Sequence, residues 1–272
     1  LASSLQDSEK VTIENPSVLH INFDAGILER APENPFEDLE IPGFPSTKIL
    51  SLNELLDNIN KAKNDSNIKA IFMDFGMMFS AGLATIDDLR AALNDFKSSG
   101  KKIYAYSEFY SERSYYLASV ADQVFINPEG DFIFNGFYSS VTFFKGMLDK
   151  AGIEMQVIKV GKYKSAVEPF LLDKMSDENR EQVSVYVNSL FDAYTSNIAA
   201  SRKLSQDTIK NIANNLMIRK AQDAVDLKMI DALKYYDEVL EIIKKESGTE
   251  KDGKPRFITY SSFRKVNHSK KE

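Results

Sequence analysis

Histidine is the usual base beside a protein nucleophile and cysteine is a common nucleophile; the first is scarce here and the second absent. The 272 residues hold two histidines, His20 and His268, and no cysteine. A Ser-His-Asp triad or a histidine-rich metal site would have to use one of those two. Cysteine nucleophiles, disulfide frameworks and zinc ribbons are excluded. We expect neither a metal nor a cofactor. There is no GxGxxG after a strand, no Walker phosphate loop, no HExxH and no GxSxG elbow. Two stretches built on serine and lysine remain. The first is Gly76-Met77-Met78-Phe79-Ser80-Ala81-Gly82, between a strand and a helix. Such a turn can aim backbone N–H groups at an oxyanion near a helix N-terminus. Ser80 would then be a nucleophile. The alternative is a plain strand-to-helix turn packed by three bulky apolar residues, with no base beside Ser80.

The second stretch is Val160 to Phe170, VGKYKSAVEPF. It follows an apolar run, Met155 to Val160, that reads as a strand. A lysine leaving the end of a parallel strand sits at the rim where α/β sites are built. Near apolar groups such a lysine can lose part of its preference for the charged state and act as a general base. On spacing alone, Lys164 reads equally as an ordinary solvated lysine. Ser165 either bonds near that base or caps the turn. Glu168 either pairs with a cation or lines the site.

The elements that must position these residues follow from the apolar pattern. Ser17–Phe23, Lys69–Phe75, Lys102–Tyr106 and Gln123–Ile126 read as strands, the last stopped by Asn127-Pro128. Ser51 and Glu54 have capping-box spacing ahead of Leu52, Leu55, Leu56 and Ile59, which repeat with helical period. Ile86, Leu89, Leu93 and Phe96 mark a second helix, with Thr85 as N-cap and Gly100 as its stop. Ser114–Val120 and Val141–Lys150 read as helices. A long helix is expected over Ser176–Ala200, on the stripe Val183, Val187, Leu190, Phe191, Tyr194 and Ile198. Further helices are expected near 205–215, 219–227 and 237–246, and a short strand at Phe257–Tyr260. Short apolar strands alternating with helices predict a parallel sheet covered on both faces.

Hydrophobic residues at 43% and charged residues at 27% make a globular balance, not a disordered one. The net charge of −6 argues against a nucleic-acid partner. No apolar run approaches the roughly 20 residues needed to span a bilayer. Residues 27–48 carry Pro32, Pro35, Pro42 and Pro45 among acidic residues and read as a long irregular loop. The opening Leu1-Ala2-Ser3-Ser4 has no start methionine and is read as the cut end of a longer polypeptide.

VGKYKSAVEPF resembles the motif of the signal peptide peptidase A (protease IV) family, in its long two-domain form. His20-Ile21-Asn22-Phe23-Asp24-Ala25-Gly26-Ile27 resembles the family's opening strand, and Tyr115-Tyr116-Leu117-Ala118-Ser119 the helix after its central strands. Asn135-Gly136-Phe137 and Leu148-Asp149-Lys150 match as well. The similarity runs from about Val18 to about Tyr260.

The resemblance implies an α/β fold of the Clp-protease/crotonase type, a parallel sheet with flanking helices and a helical C-terminal part. It implies two similar halves, the first giving a lysine general base and the second a serine nucleophile. The lysine falls on Lys164. The position equivalent to the serine falls near Gly82, with Ser80 offset by two, so this half keeps the base and lacks the nucleophile. Also expected are residues 1–16 as disordered or as a linker to an absent membrane anchor, 17–248 as the domain, and 249–272 as a linker toward an absent catalytic half. The family resemblance further implies a homo-oligomer, a tetramer, on the outer side of the bacterial inner membrane, degrading signal peptides. This chain alone is then expected to be inactive. A non-catalytic assembly or substrate-recruiting domain, and a crotonase-type acyl-CoA enzyme, are the competing readings. Mutation of Lys164 tests the first and CoA binding the second.

Overall fold

The apolar strands do pair in parallel, and side-chain alternation buries the sheet on both faces. The computed structural model describes residue 13 and residues 16–30, 49–158, 160–161, 163–249 and 253–266. The expectations for residues 1–12, most of the proline-rich loop (31–48), Lys162, Lys251 and the basic end with His268 lie outside the described residues.

The chain runs through β1 (Ser17–Asn22), β2 (Gly26–Leu28), β3 (Ile49–Ser51), α1 (Leu52–Asn64), β4 (Ile68–Phe75), α2 (Leu83–Lys97), β5 (Lys102–Tyr110), α3 (Glu112–Ala118) and β6 (Gln123–Phe132). Then follow α4 (Lys145–Lys150), a 3-10 turn at Ser165–Val167, α5 (Glu168–Leu171) and α6 (Asp177–Arg202). The remainder is α7 (Gln206–Asn214), α8 (Ala221–Asp226), β7 (Ala232–Leu233), α9 (Tyr236–Glu246), β8 (Phe257–Thr259) and α10 (Tyr260–Phe263). Six strands form one sheet in the order β7-β6-β5-β4-β1-β8, and every pairing in it is parallel. Leu19 lies opposite Ile71, and Ile71 opposite Ile103. These side chains join Leu55, Ile59, Leu89 and Leu93 of α1 and α2 in the larger core. Their neighbours Val18, Ala70, Phe72, Tyr104 and Phe125 face the other way, onto Val239 and Ile243 of α9. That double burial explains why the strands read as near-continuous apolar runs.

Several boundaries differ from expectation, each for a physical reason. β6 continues past Asn127-Pro128 to Phe132. The ladder to β5 is broken there: Ser107 pairs with Ile126, and the next pair is Phe109 with Asp131. Pro128 therefore costs no ladder hydrogen bond. A Cβ on Gly130, in the same bulge, would lie 2.5 Å from the Glu108 carbonyl. α2 begins at Leu83 with Gly82 as its N-cap, one turn before Thr85. Only Lys145–Lys150 of the expected 141–150 helix is helical, after the β-branched and aromatic run of Val141 to Phe144.

The strand expected at Met155–Val160 is a correction: none of its described residues is in a strand. Apolar spacing shows that a segment can pair, but a strand also needs a hydrogen-bonding neighbour. The sheet ends at β7 and β8, and this run joins neither. Met155, Ile158 and Val160 are exposed. The long helix is unbroken through Arg202, but only its second half enters the core, through Tyr194, Ile198 and Ala199.

Candidate active site

Parallel pairing puts the C-terminal ends of β1, β4, β5 and β6 on one edge, and the 76–82 turn leaves β4 there. Phe79 anchors the turn, meeting Phe23 and Phe75 edge to face. Ser80 donates its N–H to the Ala25 carbonyl at 3.3 Å and accepts from the Ile27 N–H at 2.8 Å. Its backbone thus extends the small parallel ladder of β2 and β3. The Ser80 side chain is exposed, and among the described residues no lysine or histidine hydrogen-bonds it. The plain-turn reading therefore describes Ser80 better than the nucleophile reading. At Gly82 an added Cβ would meet only Thr85 Oγ1, at 3.7 Å.

Gly76 is needed for close approach. A Cβ there would lie 2.1 Å from Asp24 Oδ1, while Oδ1 itself accepts the Met78 N–H at 2.9 Å. Asp24 is in turn held by its own N–H on Asn22 Oδ1, at 2.8 Å. Gly76→Ala should therefore cost about 1–3 kcal/mol, the range for forced overpacking. Urea denaturation of the variant checks this, and an unchanged midpoint would show that the Asp24 contact is dispensable.

His20, which sequence composition discounts as a triad member, lies on the α9 face of the same edge. Its ring stacks on Phe72, and its Nε2 is 3.4 Å from Asp74 Oδ2. The Tyr236 hydroxyl donates to the same Oδ2 at 3.1 Å. Burial first, and then Asp74, push the Tyr236 phenol above its ordinary value. No serine hydroxyl hydrogen-bonds His20 among the described residues, so this arrangement is not a Ser-His-Asp triad.

The Lys164 segment is held differently. Lys164 precedes the 3-10 turn and is exposed. Lys164 therefore does not leave the end of a parallel strand, since the strand expected at Met155–Val160 does not form. Its scaffold is nevertheless firmly placed. The Phe144 N–H donates to the Pro169 carbonyl at 2.6 Å, and Phe144 stacks on Phe170 with ring centroids 5.9 Å apart. Tyr163 donates to Glu181 of α6 at 3.2 Å, and that bond raises its phenol above the ordinary value.

Glu168 neither lines an open site nor faces solvent: it is 2% exposed. Its carboxylate accepts from Ser176 Oγ at 2.5 Å, from the Ser176 N–H at 3.2 Å and from Asn179 Nδ2 at 2.9 Å. Sequence reasoning missed this arrangement because the partners are eight and eleven residues away. The acidic residue beside a proline, just ahead of a serine N-cap, was the available signal. No hydrogen bond joins Ser80 to Lys164; the segment around Lys164 is attached to Phe144 and to α6 through Tyr163, Glu168, Pro169 and Phe170.

Comparison with known proteins bears on both places. A family model described as peptidase family S49 matches residues 95–250, which include Lys164 and exclude Ser80. The chain is 33% identical over 221 residues to Protease 4 of Salmonella typhi, covering 78% of this chain and 36% of that protein. It is 29% identical over 216 residues to the chloroplastic serine protease SPPA of Arabidopsis thaliana, covering 79% of this chain and 31% of that protein. The chain thus spans about a third of the length of these curated relatives. An enoyl-CoA hydratase/isomerase family protein from Hyphomonas neptunium matches 73% of this chain and 66% of its own, at 16% identity and a TM-score of 0.39.

Proposed function

Because this chain belongs to peptidase family S49, we propose that it is the base-donating part of a serine endopeptidase, with Lys164 as general base. The observation that carries the reading is the match to proteins named Protease 4 and serine protease SPPA over more than three quarters of the chain. The physics is consistent. A serine hydroxyl is a weak nucleophile until an adjacent base takes its proton. Lys164 takes that proton during acylation and returns it to the leaving amine. The nucleophilic serine comes from a second, similar half outside these residues, and its own neighbourhood supplies the oxyanion donors.

Exposure of Lys164 supports this division, because a base on the surface of one half is open to a serine from another. We assign signal peptides in or near the bacterial inner membrane as substrates, on the extracytoplasmic side, with an anchor outside this sequence. Among the described residues no helix is long and apolar enough to cross a membrane. The arm around the motif exposes Phe144, Met147, Ile158, Val160, Tyr163 and Phe170. Such a patch is unusual on a free surface and suits burial against another copy in a tetramer.

The 272-residue chain by itself is expected to leave a fluorogenic peptide panel uncleaved and to resist a fluorophosphonate probe, while the longer polypeptide does both reactions. Turnover by the chain alone, or labelling at Ser80, would sink the proposal.

A further inference from the structure

The only buried carboxylate within the motif has no part in the proton transfers described above. Glu168 lies four residues after Lys164, at the start of α5, and 2% of it is exposed. A buried carboxylate is costly unless donors surround it, because as an anion it can only accept. Here α6 supplies three of them. Ser176 is the helix N-cap and gives both its hydroxyl and its N–H; Asn179, in the first turn, gives its side-chain amide. Asn179 is itself buried, at 5% exposure. The carboxylate also lies at the positive end of a 26-residue helix. That end belongs to the element whose other half is locked into the core by Tyr194 and Ile198.

The backbone between Lys164 and this anchor has little slack. Lys164 leads directly into the 3-10 turn, and the Glu168 N–H closes that turn on the Ser165 carbonyl. The Leu172 N–H then returns to the Glu168 carbonyl at 2.8 Å. Pro169 and Phe170 make a second attachment, to Phe144. The residues that follow the turn are thus fastened to α6 through charge-assisted hydrogen bonds and to Phe144, the N-cap of α4, through a backbone bond and a ring stack.

We propose that Glu168 is a positioning residue for Lys164: its carboxylate fixes the lysine-bearing turn to the N-terminus of α6. The inference rests on the reading of Lys164 as general base. A base misplaced by about 1 Å can lose a hundredfold in rate while substrate binding is untouched.

The test uses the full-length peptidase and the variants Lys164→Ala, Glu168→Gln, Ser176→Ala and Asn179→Ala. Glutamine keeps the shape of Glu168 but turns one acceptor into a donor facing donors. Glu168→Gln should lower kcat by about 10- to 100-fold and leave KM within about twofold. In a Lys164→Ala background the same change should reduce the residual fluorophosphonate labelling rate by less than about twofold, because the group it acts through is gone. An equal further loss in that background would mean that Glu168 acts elsewhere, and the inference would fail. Wild-type kcat in Glu168→Gln, with Lys164→Ala inactive, would overturn the positioning role alone. Wild-type turnover in Lys164→Ala would overturn the general-base reading and this inference with it. Should Glu168→Gln not fold, the single-donor variants decide. Ser176→Ala and Asn179→Ala should each lower kcat by about three- to tenfold at constant KM, and wild-type kcat in both would refute the role.

Discussion

Lys164→Ala in the full-length peptidase is expected to lower kcat by about 10²- to 10⁴-fold, the contribution of a positioned general base, with KM little changed. Lys164→Arg should do nearly the same. The guanidinium keeps the charge and approximate length but cannot release its proton near neutral pH, so retained charge does not rescue the reaction. The comparison of the two variants therefore separates proton transfer from simple electrostatic attraction. Lys162→Ala, two positions earlier in the same motif, controls for loss of a neighbouring charge. Turnover is measured on a fluorogenic peptide and assembly by light scattering, since a variant that fails to assemble would mimic a catalytic loss. Wild-type kcat in Lys164→Arg would rule out the general-base role. The geometry adds a condition. Lys164 is exposed in this chain, and a base acts within about 2.6–3.2 Å of the proton it removes. On the general-base proposal, the serine comes to this lysine from outside these residues.

The sheet was legible because burial on both faces writes itself into sequence as apolar runs. β1, β4 and β5 were located by SVLHINF, KAIFMDF and KIYAY, and α6 by its 3.6-residue stripe. β2 and β3 were not foreseen. Three residues each are too few to show a period, and their parallel pairing is between residues more than 20 apart. The Met155–Val160 run differs in the opposite sense: its composition suits a strand, but none of its described residues pairs with one. Lys164 stands out by family resemblance, not by any local pattern, because a lysine after an apolar run is most often a solvated lysine. For Glu168 the sequence offers a cation pair or a place lining the site, and not its α6 partners, since hydrogen-bond partners eight and eleven residues away leave no periodic trace. What sequence reading gives least well is contact between distant polar groups, and such contacts hold this site in place.

Arg90 is the strongest case of that kind, and its removal should cost the scaffold heavily. It falls on the apolar stripe of α2, four residues after Ile86 and three before Leu93, so its burial follows from helical spacing. Only 5% of it is exposed. Its guanidinium donates to the Tyr116 carbonyl, to Ser119 Oγ at 2.8 Å, to the Asn197 carbonyl at 3.1 Å and to Ser201 Oγ at 2.9 Å. It also lies 4.3 Å from the centre of the Tyr116 ring. Tyr116 continues the network, donating to Asp87 at 2.5 Å and accepting from Asn197 Nδ2 at 2.6 Å. Burial pushes the guanidinium below its ordinary value, while Tyr116 and Asp87 act in the opposite sense. One side chain thereby ties α2, α3 and α6 together. α2 starts from the 76–82 turn, and Arg90 joins it to the C-terminal half of α6 at Asn197 and Ser201. Arg90→Ala removes several charge-assisted bonds and opens a cavity, and should cost on the order of 3 kcal/mol. Arg90→Lys should recover little, because a single ammonium cannot span four acceptors on two helices. Arg90→Met should fall between wild type and alanine, since it keeps the packed stem and loses the bonds. Guanidinium chloride unfolding of the three variants measures the order. A loss below about 1 kcal/mol in Arg90→Ala, within the range of ordinary surface changes, would mean that the apolar contacts between these helices suffice without the clamp.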